Sequence, residues 1–213
     1  MTPAEAQSTS ERILDAAEAL FAERGFAGTS VRDIAGRVGL NQASIYNHFS
    51  SKQALYEAVL DRGLRPLAEI LGAAAHDAFS RQASDRAGEL IAEQLWRTPN
   101  LPKLLQREVL DNGEYLERLI RNWLRPIYEK GLVAIESGSR PDLWDEHERV
   151  LLLFAFYHLV FGHFTSAALI RSLGGLDLSS ADVHGTYIAF LRKVSHRLLG
   201  IDAPPEQKKE RAR

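Results

Sequence analysis

TSVRDIAGRVGLNQASIYNHF, residues 29 to 49, reads as two short helices joined by a tight glycine turn. Ser30 followed three residues later by Asp33 is a capping-box start, in which two side chains satisfy free N–H groups. Val31, Ile34, Ala35 and Val38 recur at i, i+3, i+4 and i+7, one buried helical stripe. Arg32, Asp33, Gly36 and Arg37 fall on the wet side. Gly39 ends the helix, because glycine takes left-handed backbone angles at no steric cost, and Asn41 is a good N-cap for the next one. With Ile45 set at the core, Asn41, His48 and Phe49 lie within about 60° of it, while Ala43 and Asn47 point away, flanked by Ser44 and Tyr46. This is the pattern of a helix-turn-helix, a shape that lowers one helix into the major groove of DNA.

Working outward, Ser50 and Gln53 predict another capping box, for a helix beginning near Ser51. Upstream, residues 10 to 24 form a longer helix with Ile13, Leu14, Ala17, Leu20 and Phe21 on one face. Gly25 supplies its stop. One helix laid across a two-helix reader is the smallest unit that buries the apolar sides of both.

The wider composition is that of a globular protein. The chain has 213 residues, 45% hydrophobic and 25% charged, enough for a small domain plus a larger one. It contains no cysteine, which excludes disulfides and cysteine zinc sites. No apolar segment follows a basic start, so no signal peptide is expected. The longest nearly unbroken apolar run, Val150 to Phe161, is too short for a bilayer and contains His158; the expected location is the cytoplasm. A net charge of −2 does not advertise a nucleic-acid binder, but the distribution matters more than the total. Between Arg24 and Lys52, four cations (Arg24, Arg32, Arg37, Lys52) face one anion, Asp33.

The segment Ser30 to Lys52, with Val-Arg-Asp-Ile-Ala, Gly-Leu and Ser-Ile-Tyr-Asn-His-Phe followed by Ser-Lys-Gln-Ala-Leu-Tyr, resembles the N-terminal domain of TetR-family transcriptional regulators. The match covers about residues 10 to 60. The resemblance implies a domain that binds operator DNA as a dimer, and a divergent C-terminal domain that binds a small molecule. It implies that Arg32, Gln42, Ala43, Ser44 and Asn47 face base edges or nearby backbone, and that Ser30, Tyr46, His48 and Lys52 hold phosphates. The chemistry agrees: Gln can bond adenine bidentately, Arg can fork onto guanine, and Ala can touch a thymine methyl. Asn41 departs from the Ser or Thr more usual there, yet still caps.

After Ser51 the pattern stays helical, giving an all-α fold: a three-helix helix-turn-helix domain over 8–52, a larger helical ligand-binding and dimerisation domain over 53–202, and a disordered tail over 203–213. Residues 1–7 are also expected to be disordered. Helices are predicted over 51–64, 66–80, 84–97, 101–111, 114–137, 145–171 and 181–199. The breaks fall at Pro66, Thr98-Pro99, Asn112-Gly113, residues 138–141 and Gly174-Gly175, and Pro126 is expected to kink its helix. The helix around Val150–Phe161 is apolar nearly all round and must be covered on more than one side. The helix at 181–199 carries the stripe Val183, Tyr187, Phe190, Leu191, Val194 and Leu198. Together these predict a homodimer through 145–171 and 181–199. Gly162 and Ser166, one turn apart, would let helices approach closely.

A small-molecule effector pocket is expected among Trp96, Leu105, Trp123, Phe154 and Phe161, joined by Leu101 and Tyr128, with Arg107, Glu108 and His158 as polar anchors. Such sites are mostly apolar with a few placed polar groups. No Gly-x-Ser-x-Gly, phosphate loop or dinucleotide fingerprint occurs; no cofactor, metal or membrane is expected. Three readings remain at this point: a ligand-released repressor on a palindromic operator, a helical enzyme or small-molecule carrier whose N-terminal hairpin is structural, and a helical interaction module.

Overall fold

The computed structural model describes residues 8–76, 81–110, 115–136, 140 and 142–200. The breaks expected at Asn112-Gly113 and 138–139, and the disorder expected for 1–7 and 203–213, lie outside the described residues. Eleven α-helices and one π turn carry the described chain: α1 (Thr9–Arg24), α2 (Val31–Val38), α3 (Gln42–Tyr46), α4 (Lys52–His76), α5 (Arg81–Arg97), α6 (Leu101–Leu110), α7 (Leu116–Leu119), the π turn Ile120–Leu124, α8 (Arg125–Glu136), α9 (Glu146–Thr165), α10 (Ala167–Gly174) and α11 (Ala181–Leu199).

The short N-terminal helices form for local reasons. Ser8 and Glu11 make a full capping box for α1, and Ser30 and Asp33 make one for α2. Gly39 closes α2 at φ 71°, a left-handed angle that strains any residue with a side chain. Asn41 accepts from the backbone N–H of Ser44 at 2.8 Å and starts α3. The expected cap at Ser50 is corrected by one residue. Ser51 Oγ accepts from the N–H of Ala54 at 3.0 Å, and Gln53 turns instead to Glu57 at 3.0 Å.

The expected helix boundary at Pro66 is absent: α4 runs from Lys52 through Pro66 to His76. A proline inside a helix loses one hydrogen bond and crowds the preceding turn. Here buried Leu64 and Leu67 bracket it and anchor both halves in one core. Close approach adds to this, since a Cβ on Gly63 would come within 2.8 Å of the Leu101 side chain. Pro126 acts differently. The helix opens into a π turn just before it, and Arg125 donates to the carbonyl of Ile120, five residues back. That wider turn makes room for the ring and divides the expected helix 114–137 into three pieces. The expected helix 145–171 also divides, bending by 73° between α9 and α10. At the bend Thr165 Oγ1 donates back to the carbonyls of Phe161 (3.4 Å) and Gly162 (3.3 Å), a contact that distorts helices.

α4 is the axis of the molecule, packing on α1 at its start and on α5 and α8 further along; α11 lies on α5 and α9. One apolar cluster runs through these contacts, from Ile13 and Phe21 through Tyr56 and Leu64 to Val160 and Leu191. No single helix among the described residues is long and apolar enough to cross a membrane.

Candidate nucleic-acid interface

Four segments converge on one concavity of about 540 Å³: the loop before α2, the start of α2, α3 and the first residue of α4. Ser30, Arg32, Gln42, Tyr46 and Lys52 line it. Ile45 is the pivot of this arrangement. It is buried against the α1–α2 core, so the rest of α3 must face out. Ala43 and Asn47 are exposed on the outward side as expected, Ser44 is half-buried, and His48 is exposed; these four do not line the concavity.

Several side chains are held in place before any partner arrives. Arg12 Nη2 donates to the carbonyl of Val38 at 2.9 Å, tying α1 to the end of α2. Thr29, fully buried, donates to the carbonyls of Leu20 (3.1 Å) and Gly25 (2.9 Å) and so fixes the α1–α2 loop. Gln42 Nε2 lies 3.5 Å from the Tyr46 hydroxyl one turn on. Lys52 Nζ sits 4.1 Å from the centre of the Phe26 ring, a favourable site for a cation. Partial burial lowers its proton affinity below that of an ordinary lysine.

Ser30 and Asp33 form a closed pair. Asp33 is held below the usual carboxylate range by the Ser30 hydroxyl first and the Ser30 backbone N–H second. The only hydroxyl proton of Ser30 is thus directed to Asp33 Oδ2 at 2.6 Å. An incoming phosphate would have to displace it, whereas Tyr46 and His48 are exposed and half-buried Lys52 lines the concavity. The concavity therefore offers an ammonium, hydroxyls, an amide and a guanidinium along its lining. That is the set from which phosphate contacts and base-edge contacts are built.

The expected effector residues are dispersed. Leu105 is buried in the central cluster, Trp123 and Phe161 pack against it, and Phe161 stacks on Tyr157 at 4.7 Å. Trp96 stacks face to face on His184, with ring centres 4.1 Å apart. Phe154 is 52% exposed, and His158 is exposed one turn further along α9. Arg107 and Glu108 turn toward the N-terminal helices. Arg107 Nη2 donates to the carbonyl of Glu23 at 3.0 Å, and the Tyr56 hydroxyl donates to Glu108 Oε1 at 2.6 Å. Burial is the main reason the Tyr56 phenol is pushed far above its ordinary value, so it stays a donor. Glu108 is itself only 6% exposed, and its second oxygen has no hydrogen-bond partner among the described residues; the same holds for His184 Nε2.

Thr29, Phe26, Tyr56 and His184 carry much of this geometry without having been singled out in the sequence. Thr29 stands directly before the capping box and bonds back to α1 and its end, whereas Tyr56, one turn into α4, has its partner 52 residues away.

Residues 13–59 match the profile of bacterial regulatory proteins of the tetR family. The chain is 32% identical over 180 residues to the HTH-type transcriptional repressor Rv3405c of Mycobacterium tuberculosis, covering 84% of this chain and 85% of that one. Over 66 residues, 28% of this chain and 32% of the other, it is 44% identical to the HTH-type transcriptional repressor KstR2 of Rhodococcus jostii. The fold is similar to that of the TetR family transcriptional regulator PfmR from Thermus thermophilus, with a TM-score of 0.65 and 20% identity, over 88% of this chain and 97% of that one.

Proposed function

Because the chain belongs to the tetR family of bacterial regulatory proteins, we propose that this DNA-binding regulator is a dimeric repressor, released from a palindromic operator by a small, largely apolar ligand. It is a transcriptional regulator and not an enzyme. The observation that carries the reading is the convergence of Arg32, Gln42, Tyr46 and Lys52 on one exposed concavity set by buried Ile45. In this reading residues 8–52 are the reader and 53–202 the body. Arg32, Gln42, Ala43, Ser44 and Asn47 face bases, and Tyr46, His48 and Lys52 hold phosphates, with Ser30 joining them only on leaving Asp33.

Gln42 and Lys52 are expected to fail differently. Lys52→Ala should weaken all DNA sequences about equally. Because each subunit gives up one phosphate partner, the salt slope of the dimer should fall by about two. Gln42→Ala should relax preference at one base pair per half-site, costing about 1–3 kcal/mol there. Fluorescence anisotropy across a set of single-base operator variants and salt concentrations checks both. Equal losses on every sequence for both variants would remove Gln42 as a base reader.

The dimer is proposed through α9 and α11. Leu151, Phe154, Ala155 and His158 are exposed at i, i+3, i+4 and i+7 along α9, and Ala189 and Phe190 are exposed on α11. Buried Leu152, Val160 and Phe164 occupy the opposite side of α9. A second subunit, rather than an enclosed ligand, is the natural cover for Phe154 and His158.

The effector is proposed to lie among Trp96, Trp123 and Phe161, reaching the unpaired oxygen of Glu108 or the unpaired nitrogen of His184. A buried polar atom without a partner costs about 1–3 kcal/mol, so a ligand that satisfies one gains that much in binding. Arg107 and Glu108 give such a ligand a route to the reader, since consecutive residues of α6 grip the end of α1 and the start of α4. A shift of α6 changes the spacing of two recognition helices that must meet half-sites about 34–36 Å apart. The expected coupling is about 1–3 kcal/mol, weakening DNA binding roughly 5- to 150-fold. By linkage, operator DNA must weaken ligand binding equally. Titrating an apolar ligand with and without operator, followed by intrinsic tryptophan emission, measures this. Unchanged ligand affinity in the presence of operator would end the induction hypothesis.

A further inference from the structure

We propose that α10 is an arm that packs on the second copy of this chain, extending the dimer face beyond α9 and α11. This rests on the dimer reading given above. Three observations lead to it. The helix has an N-cap in which no side chain bonds the backbone, and none of its residues is buried. It leaves α9 at a 73° bend, and α9 is its main packing neighbour among the described residues. Its leucines are bare: Leu173, 81% exposed, is the most exposed large hydrophobic among the described residues, Leu169 is 59% exposed, and Leu176 just beyond is also exposed.

Leu169 and Leu173 stand at i and i+4, on one side of α10, and Leu176 follows directly after the left-handed C-cap Gly175. The charge next to these leucines is balanced, since Arg171 reaches Asp177 at 3.7 Å. Area names the occupant. Specific dimers bury about 800 Å² per partner, and the bare faces of α9 and α11 supply only three large apolar side chains: Leu151, Phe154 and Phe190. Leu169 and Leu173 of α10, with Leu176 just past it, double that number. Six of the thirteen exposed large hydrophobics of the described residues therefore fall between 146 and 199. α10 is also bracketed in the chain by the two dimer helices, so in a two-fold assembly it emerges beside the interface and within reach of the partner.

The absence of native cysteine makes the test direct. Leu173→Cys is introduced into the full chain and labelled with a maleimide, beside Glu117→Cys as an exposed control. The arm predicts labelling of Cys at 173 at least about tenfold slower at concentrations where light scattering gives a dimer, with the difference lost on dilution to monomer. A benzophenone maleimide at 173 should then yield a product of twice the chain mass. Leu169→Ser with Leu173→Ser should raise the dimer dissociation constant at least about tenfold. A dimer in which position 173 labels as fast as 117 overturns the arm while leaving the dimer intact. A monomeric wild type overturns the dimer reading itself. Leu173-dependent sedimentation with phosphatidylglycerol vesicles would assign these leucines to a lipid surface and likewise overturn the arm.

Discussion

Phe21→Ala is expected to cost about 3–5 kcal/mol of stability, the usual range for emptying a buried aromatic site. The side chain is 0% exposed. Its ring meets Tyr56 edge-on at 4.9 Å and stacks near Phe26 at 5.9 Å, and both of those rings contact Tyr115. α1, α4 and the segment before α7 therefore lose a shared centre at once. Whole domains are stable by only about 5–15 kcal/mol, so the variant should melt about 6–20 °C lower for a chain of this size. Thermal and denaturant unfolding followed by circular dichroism checks it. A loss below about 1 kcal/mol would mean that the cluster packs too loosely to act as a core.

Leu151→Glu combined with Phe154→Glu is expected to separate the subunits and to weaken operator binding by about 10²–10⁴, the usual range of gain from linking two binding modules. Both side chains are bare in the protomer, at 69% and 52% exposure, so the fold of each subunit should survive. In the dimer the same positions would bring carboxylates into an apolar seam, where charge is costly without a partner. Light scattering and circular dichroism separate loss of assembly from loss of folding, and anisotropy on a full palindrome and on a single half-site reads the affinity. A dimer with unchanged affinity would remove this face of α9 from the interface.

What could be read in advance was what is decided locally. Ser30, Asp33, Gly39 and Asn41 act on backbone groups within four residues, and each does what its chemistry implies. Ile45 likewise determines by angle that Ala43 faces outward, whereas His48, placed near the core by the same arithmetic, is exposed because α3 ends at Tyr46. The boundary at Ser50 slipped because two serines stand side by side and either hydroxyl can cap. Pro66 misled for another reason. Its local preference opposes a helix, and the packing that outweighs it comes from Leu101, far along the chain. The same holds for Glu108, recognisable as a candidate polar anchor, but whose partner Tyr56 lies 52 residues away. The bend at Ser166 has no proline to announce it, only a threonine turning back on its own helix one turn after Gly162.

The clasp made by Arg107 and Glu108 bears on how such proteins can be recombined. A reader cut at residue 52 and spliced to a foreign body would keep its caps and its recognition helix. It would lose the hydrogen bond to the Glu23 carbonyl, the acceptor for Tyr56, and the Tyr115 wall of the aromatic cluster. The Tyr56 hydroxyl, if carried along, would be left buried with no acceptor. A functional chimera therefore has to transplant the matching stretch of α6 and Tyr115 together with the first turns of α4. The exchangeable module is a discontinuous one, and swapping specificity between relatives is a problem of matching two remote segments rather than choosing one cut site.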